Sequence, residues 1–135
     1  MARPANFRIA GVVCLLAAAA ALSTWSLAQQ GSVRQIEIIL EDYRFKPPVI
    51  EVEAGKPVEL VLRNRDSITP HDLKLDAPQA GISVNAEVGP GETVKVTLHP
   101  TAPGEFVFFC SKKLLFFASH RERGMEGTLK VTAAP

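Results

Sequence analysis

Sulfur is scarce in this chain. Its 135 residues hold two cysteines, Cys14 and Cys110, and besides Met1 a single methionine, Met125. There are three histidines, one tyrosine and one tryptophan. Charge of one sign is also lacking, since 15 Lys and Arg face 14 Asp and Glu, and so balanced a surface does not ask for nucleic acid. No Gly-rich nucleophile turn, no phosphate-cradling loop and no carboxylate pair at an obvious site is present, which removes the hydrolytic enzymes from consideration. Repeats and low-complexity tracts are absent too.

Long apolar runs are confined to the first residues. Arg3 and Arg8 precede an apolar stretch over residues 9–22, and small residues follow at Ser26 and Ala28. That layout predicts a secretory signal peptide over residues 1–28, cleaved after Ala28, because the run is too short and too closely followed by polar sequence for a retained span. Cys14 lies inside the run behind Gly11-Val12-Val13, a poor lipid-attachment box, so it is expected to leave with the leader. Residues 29–33 then form a short linker and residues 34–135 one domain, exported to the periplasm without stable membrane insertion and expected to be monomeric. Cys110 becomes the only thiol. In an oxidising compartment cysteines normally pair, so an unpaired one is either buried and inert or occupied by something else.

The domain alternates apolar and polar residues with period two. Ile36, Ile38 and Leu40 share a face, as do Ile50 and Val52, and Val58, Leu60 and Leu62. His71, Leu73 and Leu75 alternate with Asp72, Lys74 and Asp76; Val94, Val96 and Leu98, then Phe106, Phe108 and Cys110, then Leu129 and Val131 complete the series. With turns at Ala54-Gly55-Lys56 and Gly89-Pro90-Gly91 and prolines in the connections, the pattern predicts an all-β fold, a two-sheet antiparallel Greek-key β-sandwich.

Parity then places chemistry. Cys110 follows Phe106 and Phe108 on the inward face at a strand's end, and His71 precedes Leu73 and Leu75 at a strand's start. If those strand ends lie at the same pole of the sandwich, His71 and Cys110 can meet, and the loop bearing His120 and Met125 can fold back over it. His99 has outward parity and is expected at the surface. A thiolate, two imidazoles and a thioether suit copper in both oxidation states, with the thioether as the long axial ligand. Zinc seldom recruits methionine. Glu122 and Glu126 flank Met125 as possible substitutes.

These residues resemble the cupredoxins, the single-domain blue-copper proteins. The resemblance spans Ile36 to Val131 and rests on Phe45-Lys-Pro-Pro-Val-Ile-Glu-Val-Glu-Ala-Gly55, Leu62-Arg-Asn64, Pro70-His71-Asp72, Val88-Gly-Pro-Gly-Glu92, Pro103-Gly-Glu-Phe-Val-Phe-Phe-Cys110 and His120-Arg-Glu-Arg-Gly-Met125-Glu-Gly-Thr-Leu. It implies one type 1-like copper ion held by His71, Cys110, His120 and Met125, and a one-electron exchange with a redox partner: a cytochrome, an oxidase or an iron-permease component. It also implies that Asn64 hydrogen-bonds across the site and holds the cysteine loop, the alternative being an ordinary turn asparagine. The departure is the interval of nine residues, Ser111 to Ser119, between Cys110 and His120, longer than the family's usual two to about four. Within it Lys112-Lys113-Leu114-Leu115-Phe116-Phe117 reads either as a partner-docking patch or as a plug for the end of the core, with a mixture of buried and exposed side chains expected. A resemblance to the cupredoxin components of periplasmic ferrous-iron uptake systems suggests a second role, with Glu122 and Glu126 as transient iron ligands. Copper storage or delivery is a third.

Overall fold

The computed structural model describes residues 32–135, so the expected leader and Cys14 lie outside the described residues. Nine strands follow one another: β1 (Arg34–Glu41), β2 (Arg44–Lys46), β3 (Val49–Glu53), β4 (Val58–Asn64), β5 (His71–Ala77), β6 (Ile82–Val88), β7 (Thr93–Leu98), β8 (Gly104–Phe109) and β9 (Glu126–Thr132). A single 3₁₀ turn, Pro78–Ala80, joins β5 to β6. One sheet has the order β2-β1-β4-β7, the other β3-β9-β8-β5-β6. The two-sheet β-sandwich expected from the alternation is present, with two differences of detail. The pairs β1 with β4 and β3 with β9 run parallel, so the sheets are mixed. Alternation reports which face a side chain takes, not the direction of its neighbour, and cannot distinguish the two pairings. Nor does it single out β2, which is three residues long, or β6, whose inward set Ile82, Val84, Ala86 and Val88 includes a weakly apolar alanine.

The inward residues of both sheets make one core. Ile38, Leu40, Leu62, Leu73, Phe108 and Leu129 are all 0–1% exposed, and each such side chain contributes about 2 kcal/mol by leaving water. Phe45 and Phe108 meet edge to face at 5.0 Å. Phe108 sits over Gly127, where a Cβ would collide with the ring and lie 2.7 Å from the carbonyl oxygen of Pro48, so only glycine admits this packing. Among the described residues no helix is long and apolar enough to cross a membrane.

The topology gathers several strand ends at one pole. In the antiparallel pair β8 and β9, Phe109 faces Glu126, which sets Cys110 beside Met125; the Cys110 amide donates to the Met125 carbonyl at 3.1 Å. β5 begins at the same pole with His71. The β1–β2 hairpin turns there as well, through Asp42 and Tyr43, both at positive φ, as a two-residue turn of the strand-matching kind requires.

Candidate metal centre

Three donor atoms converge at this pole. His71 Nδ1 lies 3.1 Å from His120 Nδ1, and Cys110 Sγ lies 3.4 Å from His120 Nδ1 and 3.9 Å from His71 Nδ1. His71 and Cys110 are fully buried and His120 is 7% exposed. Met125 is fully buried immediately after the His120 turn, its amide donating to the His120 carbonyl at 3.0 Å. The structure thus brings His71, Cys110 and His120 together and lays Met125 against the same pole, whereas His99 is exposed elsewhere.

Two of the donors are aimed by a neighbour. His71 Nε2–H donates to Asp66 Oδ2 at 2.7 Å, which assigns the ring proton to Nε2 and leaves the Nδ1 lone pair facing the centre. The Asp72 amide donates to Cys110 Sγ at 3.4 Å, and the Asp72 carboxylate accepts from the Ser111 amide at 2.6 Å and the Ser111 hydroxyl at 2.5 Å. Asp72 is therefore buried, at 2% exposure, against its expected outward parity: the register with β6 is regular there, and the carboxylate is covered by the residue after Cys110, to which it is bonded.

Asn64 does not hold the cysteine loop. Its Nδ2 donates to the carbonyls of Thr69 at 2.8 Å and Val88 at 3.1 Å, and its Oδ1 accepts from the Asp66 amide at 2.9 Å. It braces the loop that carries Asp66 up to His71, and the contact to the cysteine loop belongs to Asp72 instead. Asp66, Asp72 and Tyr43 are absent from the set of site residues the sequence points to. The signal for Asp72 is its place directly after His71; for Asp66 and Tyr43 nothing local in the sequence marks a tertiary contact. The Tyr43 ring meets His120 edge-on at 4.8 Å and His71 at 6.2 Å, and the Arg123 guanidinium covers its face at 4.5 Å.

The interval between His120 and Met125 is one helical turn with a signature legible in the sequence. Ser119 and Glu122 cap each other: the Ser119 amide donates to Glu122 Oε2 at 2.6 Å, and the Glu122 amide donates to Ser119 Oγ at 3.2 Å. The Ser119 amide, and then its hydroxyl, hold the Glu122 carboxyl below its ordinary range. Gly124, at φ 95°, ends the turn. Glu126 is paired with Arg121 at 3.1 Å. Both glutamates weighed as metal ligands are thus engaged with neighbouring side chains outside the donor cluster.

Leu114, Leu115, Phe116 and Phe117 are 64%, 74%, 99% and 58% exposed. Neither the plug nor the mixture expected from the sequence is found, because His71, Phe108, Cys110 and Met125 already close the end of the core. Ile68, Pro70, Leu114, Phe117 and Tyr43, with Lys113 and Arg123, instead wall an open cleft of about 460 Å³ that reaches His120.

Burial pushes the Cys110 thiol up to about 11 from its ordinary 9.0. Burial, then the charges of His71 and Arg123, lowers His120 from its ordinary 6.5. The Cys110 contribution to stability is present below pH 9.0 and lost as pH rises toward about 11; that of His120 is present above pH 6.5 and lost as pH falls. We expect the melting temperature of the metal-free protein to decline on both sides of this window. A profile still rising above pH 9.0 would show that the thiol is not buried in its neutral form.

The chain belongs to the cupredoxin-like domain family, whose model matches residues 12–129. It is similar in structure to the dithionite-reduced auracyanin of the photosynthetic bacterium Roseiflexus castenholzii, at 23% identity and a TM-score of 0.58 over 78% of this chain and 100% of that one. It is also similar to a copper nitrite reductase from Nitrosomonas europaea, at 25% identity and a TM-score of 0.61 over 75% of this chain and 42% of that one. The metal binding domain of the Cu(I) exporting P-type ATPase CopA of Streptococcus pneumoniae D39 shares 19% identity at a TM-score of 0.55, over 76% of this chain and 89% of that one. Comparison of the sequence with curated proteins finds no match. The donor set fits a single copper ion: three soft or borderline donors about 2.0–2.3 Å from one ion would stand about 3.5–4 Å apart, close to the spacing found, with a thioether beside them.

Proposed function

We propose that this protein is an exported one-electron carrier, with residues 1–28 as its leader, residues 29–33 as a linker and residues 34–135 as the working domain. The observation that carries this reading is the buried triangle of His71 Nδ1, His120 Nδ1 and Cys110 Sγ. These three, with the Met125 thioether, would hold the copper ion. Bound copper supplies reversible one-electron chemistry. The chain supplies the frame. Each donor grows from a strand end or a capped turn and is fixed by Asp66, Asp72 or backbone bonds, so little has to move when the charge at the centre changes. The fully buried His71 and Cys110 are kept from water, and the His120 edge meets the cleft, which makes it the exit toward a partner.

A redox protein reaching the His120 edge from the Lys112 side of that cleft would complete the path. The chemistry fits a cytochrome, an oxidase or an iron-permease component. The engaged state of Glu122 and Glu126 gives the ferrous-iron reading no free carboxylate beside the donors, and the burial of the donors does not favour ready metal exchange for storage or delivery.

The test is addition of Cu(II) to the chain from residue 29 onward, followed by visible absorption and electron paramagnetic resonance. An intense thiolate-to-copper band at one equivalent is expected. A colourless complex would mean that Cys110 is not a ligand and would remove the electron-transfer reading.

A further inference from the structure

The tip of the long ligand loop is apolar where loops are ordinarily polar. Phe117 N–H donates to the Leu114 carbonyl at 3.0 Å, closing a tight turn with Leu115 and Phe116 at its corners. Leu115 adopts φ 47°, a region that favours glycine or asparagine and strains a leucine. Phe116 is 99% exposed and Leu115 74%, so neither is held there by the core. Ile68, 86% exposed, lines the same cleft as Leu114 and Phe117.

The base of this finger is cationic. Residues 112–123 hold Lys112, Lys113, Arg121 and Arg123 against Glu122 alone, a charge of +3, while the balance of charge elsewhere in the domain is acidic. Lys112 pairs with Glu87 and Arg121 with Glu126; among the described residues Lys113 and Arg123 form no ion pair. Arg123 lies over Tyr43 and Lys113 borders the cleft, so both face the same side as the finger.

We propose that this loop is a membrane-surface anchor, in which Leu115 and Phe116 enter the interfacial layer of an anionic lipid bilayer while Lys113 and Arg123 meet its phosphates. Apolar groups at a tip with cations at its base follow the order of an interface, hydrocarbon beneath headgroups. A protein partner would need a pocket cut to the outline of a fully exposed phenylalanine, whereas a bilayer accepts a tip of any outline. The inference goes beyond electron transfer and does not depend on copper, so its failure leaves that reading standing.

The test is co-sedimentation of the chain from residue 29 onward, which holds the whole sandwich and its core, with vesicles of equal parts phosphatidylglycerol and phosphatidylethanolamine, and with phosphatidylcholine vesicles. Binding to the anionic vesicles is expected, weakening at about 0.5 M salt. The double variant Leu115→Ser, Phe116→Ser should bind at least about tenfold less well. Lys113→Gln with Arg123→Gln should lose about twentyfold or more, each cation at an anionic surface being worth about fivefold. The chain's one tryptophan, Trp25, precedes residue 29, so the variant Phe116→Trp reports on the finger alone, and its emission should move to shorter wavelength on binding. Retention of the parent's cooperative unfolding transition would show that the variants are folded. Absence of binding to anionic vesicles would assign the finger to a protein pocket and overturn the proposal. So would binding that leaves the emission of the Phe116→Trp variant unmoved, or undiminished binding of the double serine variant.

Discussion

Cys110→Ser is expected to abolish the intense visible band and to weaken copper binding by orders of magnitude while leaving the sandwich folded. The sulfur is the only soft anionic donor of the cluster, and it lies fully buried between two imidazoles. A serine hydroxyl in that place stays protonated, reaches less far toward the centre and offers no polarisable sulfur for charge transfer. The backbone cost is small. The Asp72 amide that donates to Sγ at 3.4 Å finds an oxygen near the same position, and the Cys110 amide keeps its bond to the Met125 carbonyl. We expect a loss of about 1–2 kcal/mol in denaturant unfolding, the cost of a buried hydroxyl with imperfect partners. Absorption titration and unfolding of the same preparation separate the two effects, and an unchanged visible spectrum would refute the site.

The second large effect concerns Asp66. Its carboxylate fixes the His71 proton at Nε2 and enriches the ring's donor nitrogen, so Asp66→Ala frees the ring to take the other tautomer. Loss of such a partner costs about 10–100-fold in metal affinity. A more basic imidazole favours Cu(II) over Cu(I), so the loss should fall on the oxidised form and raise the reduction potential by about 60–120 mV, at about 59 mV per tenfold for one electron. Asp66→Asn should lie between parent and alanine variant, because an amide can accept the same hydrogen bond without the charge. Equilibrium redox titration of the three proteins provides the check; equal potentials would show that Asp66 merely shapes its loop.

The sandwich and the positions of His71 and Cys110 are legible in the sequence because both depend on parity, whereas His120, on a loop, is reached through the family resemblance. An inward-facing His71 at one strand start and Cys110 at one strand end meet whenever those ends share a pole. The contacts that aim them are not legible. Asp72 faces outward by alternation, and only the tertiary approach of Ser111 draws its carboxylate inward. Asn64 reads as a clamp on the cysteine loop, whereas its amide is committed to Thr69 and Val88. The sequence of the long loop displays apolar residues without revealing that the pole is already filled. Ser119 and Glu122 carry an unused signal: their spacing is that of a capping pair, whereas from the sequence Glu122 is weighed only as a possible ligand.

The parallel pairing of β3 with β9 also governs the order in which the protein can be made. Val49 aligns with Thr128 and Glu53 with Thr132, so β3 waits for β9, far along the chain, before its edge is satisfied. Met125 and the Cys110 amide meet only when β9 docks beside β8. The metal pocket therefore closes only with β9: a chain lacking that strand would present its histidines and thiol separately, and selective copper capture would begin once β9 docks.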